Sequence, residues 1–162
     1  MKISTSITLN ITEQRLCKHI AKERYKVNRK KGVKNSKIGD QSDELTDLEG
    51  FAGELAFCKI FNVFPDLLVQ VTDQNTDTGD CILSDGTVVD VKTTKYPNGK
   101  LLAARWKNCK EIDVYALMVG TFPTYKFMGF MSKDELLQEK RLRDLGHGKG
   151  YVAYQNELAP QV

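Results

Sequence analysis

The sequence has few of the residues that build disulfide scaffolds or structural metal sites. Its 162 residues include four cysteines, scattered without a CxxC pair, and two histidines, neither at metal-ligand spacing from a cysteine. A structural zinc site is therefore not expected, and four unpaired thiols indicate a reducing compartment. The GHGKG stretch at 146–150 lacks the spacing of a phosphate-binding P-loop, so we expect only a turn there.

Long apolar runs are also missing. No stretch approaches the roughly 20 residues that cross a bilayer, and the first 15 residues lack the apolar region and cleavage site of a secretory signal. We therefore expect a cytoplasmic protein with no membrane partner. Because 41% of residues are hydrophobic and 28% charged, the composition is that of a folded globular protein, and the length fits a single domain over 1–162.

Charge is distributed unevenly along the chain. Residues 15–37 contain ten basic residues and one acidic residue, a net charge of +9, whereas the whole chain carries +3. Such a division suggests a polyanionic partner, although a solvated helix face would also produce it.

Apolar periodicity and polar caps predict helices followed by strands, then a helix and a strand. Asn10 with Glu13, and Ser132 with Glu135, have the spacing of capping boxes that open helices. The predicted helices are 11–30, 47–62 and 133–143, and the predicted strands are 67–71, 80–83, 87–94, 112–119, 124–131 and 151–154. Residues 32–46 read as a loop. This order predicts an α/β or α+β protein with a mixed sheet.

The chemistry-bearing stretch is GD at 79–80 followed by VVDVKTT at 88–94. Residues two apart on a strand share a face, so Asp90 and Lys92 should point one way while Val89 and Val91 enter the core. A three-residue turn centred on Asp85 would place Asp80 directly opposite Asp90. A two-residue turn would move Asp80 to the other face.

The Cβ atoms of two directly opposite strand residues lie roughly 5 Å apart. Two carboxylates this close repel each other, and a divalent cation relieves the repulsion by binding both. Hard oxygen ligands suit Mg²⁺, for which Mn²⁺ may substitute, and a neighbouring lysine can hold a phosphate oxygen or orient an attacking water. The bland alternative is a surface hairpin whose aspartates and lysine form solvated ion pairs.

Four segments together resemble the PD-(D/E)XK nuclease superfamily, which includes restriction endonucleases and Holliday junction resolvases: GFAGELAF at 50–57, GD at 79–80, VDVKTT at 89–94 and IDVY at 112–115. The resemblance implies a restriction-endonuclease-like αβββαβ core, with a mixed central sheet flanked by helices and preceded by a basic helix. The basic helix and loop would span 1–46, the catalytic core 47–131, and a C-terminal helix and strand 132–162.

The resemblance also implies roles. Asp80 and Asp90 would be metal-binding acids, Lys92 the catalytic lysine, and the Val91 carbonyl a further metal ligand. Glu54 looks like the extra acid with which many members ligate or orient the metal and its water, although an ordinary surface glutamate would fit the same position.

The literal Pro-Asp of the superfamily name stands at Pro65-Asp66, so Asp66 is a rival to Asp80, and Asp77 is a weaker rival. Candidate phosphate contacts come from the basic helix, from the end of the VDVKTT strand and from the surroundings of the single tryptophan, Trp106, which could instead pack on the core edge. They are Lys22, Arg24, Arg29, Lys30, Lys31, Thr93, Lys95, Lys100, Arg105 and Lys107.

The sequence thus predicts a Mg²⁺- or Mn²⁺-dependent nuclease acting on DNA, with a homodimer as a possible state. Two other interpretations stay open. One is a nucleic-acid-binding module of the same fold without catalysis, and the other is a protein-binding accessory factor that uses the basic helix.

Overall fold

The computed structural model describes residues 5–30, 32, 42–69, 78–106 and 109–161. Its helices are α1 Ile11–Lys30, α2 Asp43–Phe61 and α3 Lys133–Leu136, with 3-10 turns at Glu139–Arg141 and Gln155–Glu157. Its strands are β1 Ser6–Thr8, β2 Cys81–Ile82, β3 Val88–Thr94, β4 Leu101–Ala104, β5 Val114–Thr121, β6 Thr124–Ser132, β7 Leu142–Asp144 and β8 Lys149–Ala153. Within these residues no helix is both long enough and apolar enough to pass through a bilayer.

The strands form two sheets. The larger sheet has the order β1-β6-β5-β3-β2, and the smaller has the order β4-β8-β7. In the larger sheet β3 runs parallel to β5, while the other neighbours are antiparallel. The prediction of an α/β protein with a mixed sheet is confirmed at this level.

Helix α1 begins and ends where the sequence predicts. The Glu13 backbone N–H donates to Asn10 Oδ1 at 2.9 Å, and the Asn10 backbone N–H donates to Glu13 Oε2 at 2.7 Å, which completes the predicted capping box. Cys17, Ile20 and Ala21 are its buried residues, so one face of the helix packs on the protein.

Helix α2 begins four residues before its predicted start and ends one residue early. Ser42 caps its N-terminus by accepting a hydrogen bond from the Leu45 backbone N–H at 3.2 Å. Asn62 ends it in the left-handed conformation, with φ of 54°, so the helix stops before Pro65 is reached. The helix packs against α1 and β3, which brings Glu54 toward the β2–β3 hairpin.

The turn between β2 and β3 is the predicted three-residue loop. Leu83 and Thr87 close it, with the Leu83 backbone N–H donating to Thr87 O at 2.9 Å. Gly86 has φ of +92°, the left-handed conformation that this loop needs. The pairs Cys81–Val89 and Ile82–Val88 have the register that was predicted from the turn.

Two apolar clusters lie on opposite faces of the larger sheet. Val114, Ala116 and Met118 of β5 enter the cluster beneath α1 and α2, whereas Tyr115 and Leu117 enter the cluster shared with β4, β8 and α3. Because β5 is buried on both faces, its sequence reads as a continuous apolar run.

Two predicted elements are wrong. Residues 67–69 form no strand, because the carbonyls of Asp66 and Leu68 accept hydrogen bonds from the Arg24 guanidinium instead of from a neighbouring strand. The helix predicted at 133–143 is a single turn, since the chain turns at Leu137 and then pairs as β7 with β8. Strands β1, β4 and β7 were not predicted, and residues 70–71 lie outside the described part.

Candidate functional site

Three of the predicted site residues lie at the open end of the β2–β3 hairpin. Asp90 and Lys92 are on β3, and Asp80 immediately precedes β2. Gly79 has φ of +88°, and a Cβ there would lie 2.5 Å from Val88 Cγ1, so the glycine of the GD motif is needed to bring the chain past β3.

Asp80 binds the backbone of β3. Its backbone N–H donates to Val89 O at 2.8 Å, and its Oδ2 accepts from the Val91 backbone N–H at 2.6 Å. The regular pairing ends at Cys81–Val89, one pair before the predicted Asp80–Asp90 pair. Asp80 therefore lies beside Asp90 with its carboxylate turned to the strand backbone.

Asp90 and Lys92 form a close ion pair. Lys92 Nζ lies 2.6 Å from Asp90 Oδ2, which shows that the two side chains share one face of β3 as predicted. Val89 and Val91 point to the opposite face and are buried in the core. Asp90 is only 4% exposed, and a carboxylate buried to this extent needs a charged or hydrogen-bonding partner.

Glu54 of α2 is held by Arg24 of α1. Arg24 Nη1 lies 3.3 Å from Glu54 Oε2, and both side chains are largely buried. The same guanidinium donates to Leu68 O at 3.1 Å and to Asp66 O at 3.0 Å and lies over the Phe51 ring. Arg24 thus joins α1, α2 and the segment after α2.

Burial and neighbouring negative charge raise the pKa of two acids of the site, Glu54 and Asp80. Burial raises the pKa of Glu54 to about 7; the Arg24 charge opposes this shift, and the negative charge of Asp90 adds to it. Burial, followed by the charges of Glu54 and Asp90, raises the pKa of Asp80 well above its usual range. The three acids therefore form one electrostatic cluster, and Lys92 partly offsets its charge by lowering the pKa of both Glu54 and Asp80.

The donor chemistry of this cluster suits a hard divalent cation, but its geometry is closed. Among the described residues, no three or more histidine, cysteine, aspartate or glutamate side chains are arranged to hold a metal ion. The contacts explain this, because Asp80 faces the Val91 N–H, Asp90 faces Lys92 and Glu54 faces Arg24. An ion would have to exchange with at least some of these partners.

Of the two acids that rival Asp80, the structure describes Asp66. Asp66 Oδ1 accepts from the Leu68 backbone N–H at 2.8 Å, a local turn contact, while its own N–H donates to Asp80 O at 3.2 Å. The Asp66 carboxylate therefore stabilises a turn next to the site and does not face Asp90 or Lys92. Asp77 lies outside the described residues.

A cleft of about 890 Å³ opens beside Lys92. Its walls are the end of β3, the turn that follows, and the smaller sheet. Its lining includes Lys95, Lys100 and Arg143 and the aromatic side chains of Tyr96, Trp106 and Tyr154. Lys95, Lys100 and Trp106 are candidates predicted from the sequence, whereas Arg143 and Tyr96 were not predicted. Arg143 was missed because its strand, β7, was predicted as helix. The short apolar run LLAA at 101–104, which follows a glycine turn, was the available signal.

The remaining candidates near the cleft have different surroundings. Thr93 lines the cleft, and its Oγ1 is buried without a hydrogen-bond partner among the described residues. Arg105 points to Glu139 at 3.5 Å on the exposed surface. Lys107 lies outside the described residues.

The basic residues of α1 divide into two groups. Arg24 and Arg29 face the protein, where Arg29 pairs with Asp43 at 2.8 Å and its guanidinium lies over the Tyr25 ring. The exposed members follow one another at three- and four-residue intervals and so form a stripe along the helix: Arg15, Lys18, Lys22, Lys26 and Lys30. Lys31 lies outside the described residues.

Comparison with known proteins gives one family. A protein-family model for a family of unknown function, DUF5843, matches residues 1–128. This range contains Glu54, Asp80, Asp90 and Lys92 and ends before β7 and β8. No curated protein matches the chain.

Proposed function

Since the chain belongs to DUF5843, a family of unknown function, we propose an activity from the site itself: metal-dependent hydrolysis of phosphodiester bonds in DNA. The observation that carries the proposal is the cluster of Asp80, Asp90 and Glu54 around Lys92 at the open end of a hairpin. Burying several carboxylates together costs stability, so such clusters occur at functional sites more often than elsewhere. A lysine paired to one of these acids is the group that a phosphodiester would need beside them.

Asp80 and Asp90 are the residues that would hold a Mg²⁺ or Mn²⁺ ion, with Glu54 beside them. The Val91 carbonyl is a further candidate, because a strand residue presents its N–H and C=O on the same edge and the Val91 N–H faces Asp80. A bound divalent ion supplies positive charge for the phosphodiester and a more acidic water.

Lys92 has two contacts that suit a catalytic lysine. Its ammonium is held 2.6 Å from Asp90 Oδ2, and its side chain also lines the cleft. A phosphate in the cleft would therefore meet a cation already oriented by Asp90. Lys92 would then hold a phosphate oxygen or position the attacking water. Neither role would require β3 to move.

The proposal includes a restriction-endonuclease-like core. Supporting it are a helix that carries the extra acid, the β2–β3 hairpin that carries the other acids, and β5 alongside β3 in parallel. This order agrees with an αββ unit followed by a crossover, within the mixed α/β architecture described above.

The basic stripe on α1 supports DNA as the polyanion. From Arg15 to Lys30 the helix rises roughly 22 Å, at about 1.5 Å per residue, with exposed cations at each turn. Phosphate contacts of this kind release counterions, so binding should weaken steeply as salt rises. A binding constant that is flat between low and high salt would exclude this role for the stripe.

The test is cleavage of labelled single-stranded, duplex and branched DNA in Mg²⁺, Mn²⁺ or EDTA. We expect metal-dependent cutting by the wild type and a loss of about 100-fold or more in Asp90→Asn and in Lys92→Ala. The matched controls are Asp134→Asn and Lys126→Ala, which change exposed residues of the same types away from the site. Equal activity in site and control variants would refute the assignment.

A second candidate is a DNA-binding module of the same architecture without catalysis. The observation that favours it is that each acid of the site already has a protein partner. This module would bind DNA as tightly in EDTA as in Mg²⁺ and would cut nothing. A protein-binding factor would bind neither DNA nor Mg²⁺, which calorimetric titration of the wild type and Asp90→Asn would show.

A further inference from the structure

Three aromatic side chains that line the cleft are exposed to solvent. Among the described residues, the large hydrophobic side chains that are most exposed include four aromatic ones, at Phe64, Tyr96, Trp106 and Tyr154. Three of these four line the cleft beside Lys92: Tyr96, Trp106 and Tyr154 are 47%, 42% and 54% exposed. Apolar rings gathered in one concave surface indicate a ligand with flat apolar faces.

Positive charge accompanies these rings. Lys95 Nζ lies 5.3 Å from the centre of the Tyr96 ring, and Lys100 Nζ lies 4.8 Å from the centre of the Tyr154 ring. Arg143 also lines the cleft, where Asp144 is the acidic residue among the lining side chains. The ligand of this surface should therefore combine flat rings with negative charges spaced close to them.

The turn that carries Lys95, Tyr96 and Lys100 is held by Gln155, which lies just after β8. Gln155 Nε2 donates to Pro97 O at 2.8 Å and to Gly99 O at 2.9 Å. The backbone that carries Lys95, Tyr96 and Lys100 is thus tethered before any ligand arrives, which lowers the entropy cost of binding.

We propose that this cleft binds a single strand of DNA whose unstacked bases lie against Tyr96, Trp106 and Tyr154 while Lys95, Lys100 and Arg143 contact its phosphates. A duplex buries the faces of its bases and offers only their edges and the backbone, so it cannot use these rings except at an end. Base–aromatic stacking tolerates every base, so the cleft selects single-stranded segments without reading sequence. The proposal rests on the proposed function for its choice of nucleic acid.

The position of the cleft defines the substrate of the proposed reaction. Lys92 belongs both to the lining and to the acidic cluster, so a strand in the cleft passes directly beside Asp90. The substrate class is therefore single-stranded DNA, or a single-stranded flap or end on a duplex.

The test measures binding in EDTA, where no metal-dependent cutting occurs. The probes are a fluorescent oligothymidine, an abasic strand of the same length, and a blunt duplex. Trp106 is the sole tryptophan of the chain, so quenching of its emission reports stacking in the cleft directly. We expect the oligothymidine to bind more tightly than the abasic strand and to quench Trp106, and the abasic strand to leave the emission unchanged.

Substitutions then locate the contact. Tyr96→Ala and Tyr154→Ala should each weaken oligothymidine binding by about 5- to 150-fold, as the loss of one stacked base predicts, and should leave duplex binding unchanged. Phe64→Ala is the matched control, because Phe64 is 79% exposed and does not line the cleft. Thermal unfolding of each variant verifies that it is folded.

Each outcome has one meaning. Equal affinity for the abasic strand and oligothymidine, or unchanged affinity in both tyrosine variants, overturns the single-strand cleft. Tight stacking-dependent binding with no cleavage in any metal supports the cleft and overturns the nuclease. Metal-dependent cleavage that is unchanged in both tyrosine variants supports the nuclease and overturns the single-strand cleft. Absence of all DNA binding overturns both the cleft and the nuclease.

Discussion

Replacing Gly53 with alanine should damage the packing of α2 on β3 just behind the site. A Cβ at position 53 would lie 1.9 Å from Thr93 Oγ1, 2.8 Å from its Cγ2 and 2.9 Å from its Cβ. Rotating the Thr93 side chain moves the first two atoms but not the third. Relief therefore requires the helix and the strand to separate, and Thr93 adjoins Lys92 on that strand.

The size of the effect follows from two opposing contributions. Alanine in place of a mid-helix glycine gains about 1 kcal/mol in helix propensity. Overpacking a core contact costs about 1–3 kcal/mol. Gly50 provides the matched control on the same helix, because a Cβ there meets no atom within 4 Å. The difference in stability between Gly53→Ala and Gly50→Ala cancels the propensity gain and leaves the overpacking cost.

The assay is urea unfolding of the wild type and both variants, with the slope of each transition checked for constancy. We expect the free energy of unfolding of Gly50→Ala to exceed that of the wild type by up to about 1 kcal/mol. The free energy of unfolding of Gly53→Ala should be lower than that of Gly50→Ala by about 1–3 kcal/mol. Thr93→Ala in the Gly53→Ala background should recover part of the loss. A Gly53→Ala variant as stable as Gly50→Ala would refute the close contact between α2 and β3.

Three further predictions concern neighbouring contacts. The folded-state pKa of Glu54 is raised to about 7 from an ordinary 4.5, so the free energy of unfolding should fall as pH rises from 4.5 to 7, and Glu54→Gln should flatten that fall in urea titrations across pH. Glu49 accepts hydrogen bonds from the Phe122 backbone N–H at 3.0 Å and from the Tyr125 hydroxyl, so Glu49→Ala should lower the stability by about 1–3 kcal/mol in urea unfolding; an unchanged midpoint would contradict this. Gln155→Ala should speed amide hydrogen exchange in residues 95–100 and leave exchange in β5 unchanged, whereas equal exchange rates would contradict the tether.

The parts of the fold that sequence reasoning predicted correctly depend on local chemistry. The Asn10–Glu13 capping box fixes the start of α1, and Gly86 fixes the turn that sets the register of β2 on β3. The two-residue period of β3 places Asp90 and Lys92 on one face, away from Val89, and the register brings Asp80 beside them. These residues were accessible because a turn type and a two-residue period determine them without reference to the rest of the chain.

The parts that were missed depend on partners far away in the sequence. Residues 137–144 have helical propensity, but β7 pairs with β8 and the pairing prevails. Residues 67–69 have strand propensity, but Arg24, more than forty residues earlier, donates hydrogen bonds to the carbonyls of Leu68 and of the preceding Asp66. Arg24 itself looked like a phosphate contact, and its contact with Glu54 depends on how α1 packs on α2.

The site shows the same division. The approximate positions of Asp80, Asp90 and Lys92 could be predicted from the hairpin. The burial of Asp90 and the hydrogen bond from the Val91 N–H to the Asp80 carboxylate depend on packing and could not. The roles of these residues in binding a metal and in catalysis stay predictions.

The two sheets also differ in when the chain can complete them during synthesis. Every strand of the larger sheet lies before residue 133, whereas β4, at Leu101–Ala104, pairs with β8, at Lys149–Ala153. Because chains emerge from the N-terminus, the sheet with the acids has all its strands while β4 still lacks a partner. At that stage the residues of the acidic cluster have all been made, whereas the part of the cleft wall that β7 and β8 form has not.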